Sequence, residues 1–156
     1  GPAVATNTPE TTTGGGGDQA GGGVEPTAVA TAAPQQVAVA IPTLQRPGTY
    51  TLQQGEWPIC IARRYNLDLD SFLAANDLNM NSSPPAGTVL VIPETGTWGA
   101  GDRALKDHPV DYTVLTGDTI YSISCKFGDV DPMAIVAANN LKEPYTLSVG
   151  SVIYIP

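Results

Sequence analysis

Side chains able to do chemistry are sparse in this sequence, and none falls into a working constellation. Asp68 and Asp70 are close neighbours, as are Asp129 and Asp131. Paired carboxylates can divide acid and base roles, but both pairs fall in turns between apolar runs, where carboxylates cap helices or face water. The one histidine, His108, stands beside Pro109, with no nucleophile motif around it, and a lone imidazole there makes a weak base. Neither cysteine, Cys60 or Cys125, has a histidine near it, and two cysteines with one histidine are too few for a zinc site. No enzyme is expected, and no metal or cofactor. The cysteines leave three states open: a bridge within the chain, a bridge between chains, or two free thiols.

What must position any site is a repeat. The stretch from Thr49 to Pro93 and the stretch from Asp111 to Pro156 are one segment written twice. Tyr50-Thr51 matches Tyr112-Thr113, Gly55 matches Gly117, and Tyr65 matches Phe127. Ala-Ala-Asn at 74–76 matches Ala-Ala-Asn at 137–139, and Gly87 with Ile92-Pro93 matches Gly150 with Ile155-Pro156. The second copy carries one extra residue between the aromatic and Ala-Ala-Asn. Two copies are too few for a solenoid and read as two beads in tandem.

Each bead reads as strand, helix, helix, strand. Tyr50-Thr51-Leu52 and Tyr112-Thr113-Val114 are β-favouring runs that stop near a glycine. Asp118-Thr119 offers a cap oxygen ahead of Ile120 and Ile123, which share a helical face. In the first copy Glu56-Trp57-Pro58 takes that place, with Pro58 tolerable only in a first turn, and Ile59, Ala62 and the stem of Arg63 forming the inward stripe. A second helix is expected from Ser71 to Ala75, with Phe72 and Leu73 inward; Ile135 and Val136 are the counterparts. Val89 to Ile92 and Val152 to Ile155 close the beads as strands. The fold class is α+β, twice. A bead of about 46 residues buries little core and is marginal alone.

The ordered set of these residues resembles the LysM (lysin motif) domain: Tyr-Thr-Leu/Val, Gly, then Asp118-Thr119-Ile120, an aromatic, Leu/Val-Ala-Ala-Asn, and last Gly-x-Val-Leu/Ile with a closing Ile-Pro. The resemblance implies a βααβ module binding N-acetylglucosamine-containing glycan, such as peptidoglycan or chitin, in a shallow groove. That groove lies between the loop before the first helix and the loop before the last strand. Carried over, the site would be Gly117, Asp118, Thr119, Ile120, Tyr121, Leu141, Lys142 and Glu143 in the second copy. In the first it would be Gly55, Glu56, Trp57, Pro58, Ile59, Leu78, Asn79 and Met80. Plain structural uses stand beside these: Ile59, Ile120 and Leu78 as core, Asp118 as a helix cap, Asn76 and Asn139 as turn-fixing side chains. Glu56-Trp57-Pro58 departs from the family's Asp-Thr-apolar, so Trp57 either enlarges a stacking surface or blocks the groove. The second copy is the expected binder.

Residues 1–47 are a different material, rich in Gly, Pro, Thr and Ala and poor in charge, and read as a low-complexity tether. Within them 36–41, Gln-Val-Ala-Val-Ala-Ile, alternates as a strand would. The first LysM-like domain is set at 48–93, a linker at 94–109, and the second domain at 110–156. Trp98 in that linker is expected to pack between the beads. Net charge is −8, from 15 acidic and 7 basic residues, with no basic stripe for nucleic acid or an anionic membrane. No apolar run is long enough to span a bilayer. The expected setting is extracellular, at a cell surface or cell wall, with a leader already removed. A rival reading is a structural subunit of an extracellular filament, tube or sheath, polymerised by strand addition from the arm and by contacts between beads.

Overall fold

The computed structural model describes residues 44–156; the arm at 1–43, with the strand expected at 36–41, lies outside the described residues. The first repeat opens with β1 (Thr49–Thr51), followed by α1 (Pro58–Arg64), α2 (Leu69–Ala75) and β2 (Val89–Val91). The second repeats the order as β3 (Val110–Thr113), α3 (Ile120–Phe127), α4 (Pro132–Ala138) and β4 (Val152–Ile155). Each bead pairs its strands antiparallel, with Tyr50 opposite Leu90 and Tyr112 opposite Ile153. Leu90, Ile153 and Ile155 turn inward while Val89, Val91 and Val152 face out, the period-two pattern of a half-buried sheet. The expected βααβ order therefore holds in both copies.

The helices begin where local chemistry permits. Trp57 is the N-cap residue of α1 but gives no side-chain cap, and Pro58 fills the first position, where its missing N–H costs nothing. Starting at Pro58 turns the inward stripe to Pro58, Ile61 and Ala62. Ile59 is half-buried and packs against the first core, while Arg63 is half-buried. Helix α2 starts earlier than expected, at Leu69, because the Asp68 carboxylate accepts the Ser71 amide at 2.9 Å. Asp131 does the same for α4 through Met133 at 3.0 Å. These carboxylates cap helices, as their position in turns suggests. In α3 the cap is Thr119, whose hydroxyl accepts the Ser122 amide while Ser122 Oγ accepts the Thr119 amide. Asp118 is not the cap and has another use, described below.

Ala-Ala-Asn gains a physical reason. Asn76 ends α2, donates from Nδ2 to the Phe72 and Val91 carbonyls, and accepts the Val91 amide on Oδ1 at 2.7 Å. Asn139 ends α4 and does the same with Ile135 and Tyr154. One primary amide thus ties the second helix to the last strand, in the way a neighbouring strand would. Aspartate could accept but not donate.

Each repeat has its own core. Leu52, Ile61, Leu67, Phe72 and Leu90 centre the first, and Val114, Ile120, Ile123, Phe127, Ile135 and Ile155 the second. An edge-to-face aromatic pair recurs at matching positions, Tyr50 on Tyr65 at 5.9 Å and Tyr112 on Phe127 at 5.8 Å. Trp98 joins the first core rather than the space between beads. The linker is drawn back there because Arg46 donates to the carbonyls of Tyr65, Glu94 and Gly96. Asn66 also accepts the Trp98 amide at 3.1 Å, and the Arg63 guanidinium lies 4.7 Å from the indole centroid.

Cys60 on α1 and Cys125 on α3 form a disulfide within the chain, with Cα atoms 5.1 Å apart. Of the three states left open by the sequence, this is the bridge within the chain. Around it the repeats meet closely. A Cβ on Gly55, which has φ +87°, would lie 2.9 Å from the Ser122 Cβ. Thr119 Oγ1 also reaches the Gln54 carbonyl at 3.3 Å. The linker closes over both helix ends: Arg103 donates to the Arg63 and Arg64 carbonyls at 2.8 and 2.7 Å, and the Leu105 amide to Phe127 at 2.7 Å. A Cβ on Gly128 would collide with the Arg103 carbonyl at 2.1 Å, so this approach requires glycine.

Asn139→Ala removes both donors and the acceptor from one seam. It should destabilise the protein by about 1–3 kcal/mol, the cost of leaving strand groups unpaired. A lowered urea midpoint would show it.

Candidate functional site

The loop before each first helix is fixed by a buried carboxylate. Glu56 accepts the Gln53 amide at 2.9 Å and the Tyr50 hydroxyl at 2.8 Å on Oε2, and Arg64 Nη2 at 2.6 Å on Oε1. Arg64 comes back from the last turn of α1, and its Nη1 also donates to the Tyr50 hydroxyl at 3.1 Å. The Glu56 and Arg64 side chains are 0% and 1% exposed. In the second repeat Asp118 accepts the Leu115 amide at 2.9 Å and the Tyr112 hydroxyl at 2.8 Å, and pairs with Lys126, which also donates to Tyr112. A buried charge must be paired and hydrogen-bonded, and here one carboxylate answers a turn amide, a phenol and a cation.

Electrostatics follow the geometry. Burial raises the Tyr50 phenol far above its ordinary range, with the Arg64 charge pulling it down and Glu56 pushing it up. Burial would raise the Asp118 carboxyl, but hydrogen bonds from Lys126, the Leu115 amide and Tyr112 outweigh it and hold the group below 3.8. The bond from Asp118 leads the causes that raise the Lys126 ammonium. Glu56 and Asp118, both expected in the glycan site, serve as turn anchors in this structure. Arg64 and Lys126 were missed by sequence reasoning. The signal was present, since each basic residue follows its carboxylate at the same separation in both copies.

The anchored loop forms one wall of a groove in the first repeat. Trp57, Pro58 and Ile59 line it from the start of α1, Leu69 and Leu73 from α2, and Asn79, Met80 and Ser82 from the loop ahead of β2, around a cavity of about 160 Å³. No ionisable side chain is among them. Trp57 and Met80 stand 52% and 63% exposed. The far loop is held by its own polar groups: Ser82 Oγ accepts the Asn79 amide at 2.9 Å, and Asn79 Oδ1 accepts the Asn81 amide at 2.9 Å. Five of the residues expected here, Trp57, Pro58, Ile59, Asn79 and Met80, come together. Leu78 packs against the first core, and Gly55 faces Ser122 of the other repeat. Leu69, Leu73 and Ser82 were not foreseen in this role.

In the second repeat the expected residues have mixed surroundings, and Glu143 of the far loop lies close enough to Tyr121 to act on its phenol. Ile120 is core at 1% exposure, and Tyr121 and Leu141 pack against that core. Thr119 is taken up by its capping box and by Gln54. Gly117, Lys142 and Glu143 are exposed, and Glu143 accepts the Tyr145 hydroxyl at 3.2 Å. Burial and then the neighbouring Glu56 charge raise the Tyr121 phenol. Among the described residues no cluster of three metal-ligating side chains occurs. His108 pairs with Asp129 at 3.0 Å.

The sequence pattern of the LysM domain matches residues 50–93 and 112–156. The chain belongs to the LysM family. It carries two LysM domains in tandem, and the family is one of glycan-binding modules. Among known proteins it is similar to the Lipoprotein NlpD/LppB homolog of Pseudomonas aeruginosa, 41% identical over 73 residues, which are 47% of this chain and 24% of that one. It is also similar to the Secreted LysM effector ECP6 of Passalora fulva, 24% identical over 119 residues, 69% of this chain and 52% of that one. The chain therefore spans about a quarter and about half of the length of these relatives. Among solved structures, the Bacillus megaterium QM B1551 spore cortex-lytic enzyme SleL is 32% identical, with 69% of this chain and 22% of that one covered and a TM-score of 0.28. The Bacillus cereus enzyme SleL is 24% identical at the same coverage and TM-score.

Two changes test the anchors. Glu56→Gln leaves the Arg64 charge buried without its partner and should cost about 3–5 kcal/mol, read as a fall in urea midpoint. For Asp118 the folded-state pKa is depressed. Its contribution is therefore present above the ordinary value of 3.8 and is lost as pH falls below that value. Asp118→Asn should flatten this part of the acid dependence, seen by comparing midpoints from neutral pH to below 3.8.

Proposed function

We propose that this protein is a non-catalytic, extracellular or cell-wall protein that binds N-acetylglucosamine-containing glycan, peptidoglycan or chitin-like, through a LysM groove. The observation that carries the reading is the groove of the first domain: an apolar floor with neutral polar groups and an aromatic rim, between the loop before the first helix and the loop before the last strand. An N-acetyl group presents one amide donor, one acceptor and a methyl. Asn79 and Ser82 can serve the amide, and Ile59, Leu69 and Leu73 the methyl.

The remaining chemistry favours binding over catalysis. Three sets of titratable groups are held in pairs, Glu56 with Arg64, Asp118 with Lys126, and His108 with Asp129. None lines the groove. A shallow site of this volume grips weakly, so affinity for a polymer gains from many equivalent units along it. The net charge of −8 suits a neutral sugar polymer better than a polyanion. No helix among the described residues is long and apolar enough to cross a membrane. A relative named a lipoprotein and another named a secreted effector support a place outside the cell or on its surface.

Co-sedimentation with insoluble peptidoglycan and with chitin, beside protein alone, tests the reading. The protein should pellet with at least one polymer and stay in solution by itself. Clear supernatants holding all the protein in every tube would overturn it. Pelleting without polymer would point instead to assembly.

A further inference from the structure

We propose that the two domains divide the work: the first takes the glycan, one ligand per chain, with Trp57 as the residue that sets specificity, and the second serves as its brace. This rests on the glycan-binding reading above and goes beyond it by assigning site, stoichiometry and ligand chemistry. It also reverses the sequence expectation, under which the second copy, with its Asp118-Thr119-Ile120, would bind.

Equivalent positions in the two copies have different fates. Trp57 corresponds to Thr119. The indole is 52% exposed at the rim of the groove, whereas the Thr119 hydroxyl accepts the Ser122 amide and donates to the Gln54 carbonyl of the first domain. That carbonyl belongs to the turn whose next residue, Gly55, sits against Ser122. The lip of the second domain is therefore seated on the first, while Trp57 faces solvent. The disulfide fixes this asymmetry, because Cys60 and Cys125 hold α1 and α3 side by side. On the opposite wall, Asn79 and Met80 correspond to Lys142 and Glu143. A neutral amide and an apolar side chain in one copy are replaced by two charged residues in the other.

Ligand chemistry follows from the lining. A flat, half-exposed indole offers an apolar face to the C–H side of a sugar ring, with Met80 across from it. No carboxylate lines the cavity to pair with an ammonium. The ligand is an uncharged N-acetylhexosamine oligomer, and removal of the acetyl groups takes away the methyl that fills the floor and adds a charge with no partner.

Isothermal titration with a soluble N-acetylglucosamine oligomer, run beside its de-N-acetylated form, tests this. The expected results are one oligomer per chain, no measurable heat with the deacetylated form, and at least about tenfold weaker binding for Trp57→Ala. Trp57→Phe should recover part of the loss. Lys142→Ala/Glu143→Ala should bind within about twofold of the wild type, since neither side chain meets the sugar. Trp57 is exposed and gives no cap hydrogen bond, so an unchanged circular dichroism spectrum is expected for its variants. Tryptophan fluorescence gives a second readout: the sugar should shift the emission of the exposed Trp57, with Trp98 buried and silent. Two oligomers per chain, full affinity in Trp57→Ala, or loss of binding in the Lys142/Glu143 variant would overturn the division of work while leaving glycan binding intact. A wild type that binds no N-acetylated oligomer or polymer would overturn both.

Discussion

A buried carboxylate in the turn after the first strand is the constraint on which each domain depends. Glu56 joins the end of β1, the turn at Gln53, the entry to α1 and, through Arg64, the exit of α1. Asp118 joins the same four places in the second domain. With so few residues, a bead cannot define the direction of its first helix by apolar packing alone. A charge network fixes it instead, because a charge shut away from water tolerates little displacement from its partners. The two versions differ in kind. The first pairs a longer acid with a guanidinium that is almost wholly enclosed; the second pairs a shorter acid with a Lys126 side chain left 37% exposed. The tighter, more buried version lies in the domain whose loop forms the groove.

The second constraint is local satisfaction of strand edges. Among the described residues each sheet has two strands, and none of them pairs with the outer side of the last strand. Asn76 and Asn139 fill that position with a side-chain amide. This also holds the last strand, and hence the loop running into it, against the second helix. The groove's far wall is positioned through that seam, just as its near wall is positioned through Glu56.

Much of this was legible in the sequence, for physical reasons that can be named. The element order could be read because strand runs, cap residues and Ala-Ala-Asn recur in register, and repetition separates signal from accident. The turn-fixing role of the asparagines was foreseen, although not that they serve the final strand. Trp98 was placed between the domains because a linker aromatic has no periodic pattern to assign it. Its position depends on Arg46 and Asn66, which are remote in sequence. Arg64 was invisible because a basic residue late in a helix ordinarily faces water and favours the helix end. Only its matched spacing to Glu56 and the parallel pair in the second copy marked it. The groove was half legible: the loops could be named from the repeat, while Leu69, Leu73 and Ser82 entered from elements that had been read only as core or connection.

What the repeat could not reveal is which copy meets solvent and which meets its twin. Two identical beads joined head to tail cannot present the same surface to each other unless related by a twofold axis, and here the contact is heterologous. Gly55 of one faces Ser122 of the other, while the matching Gly117 has nothing within 4 Å. Such contacts make equivalent residues inequivalent. Gly55 must stay small because a Cβ there would meet Ser122, and Thr119 must stay short and polar to reach Gln54. Trp57 lies under neither restriction, so a large aromatic is accommodated at that position in the first copy and would be obstructed in the second. The departure of the first copy from the family pattern thus has a steric licence: the substitution sits on the one lip that the packing of the domains leaves open.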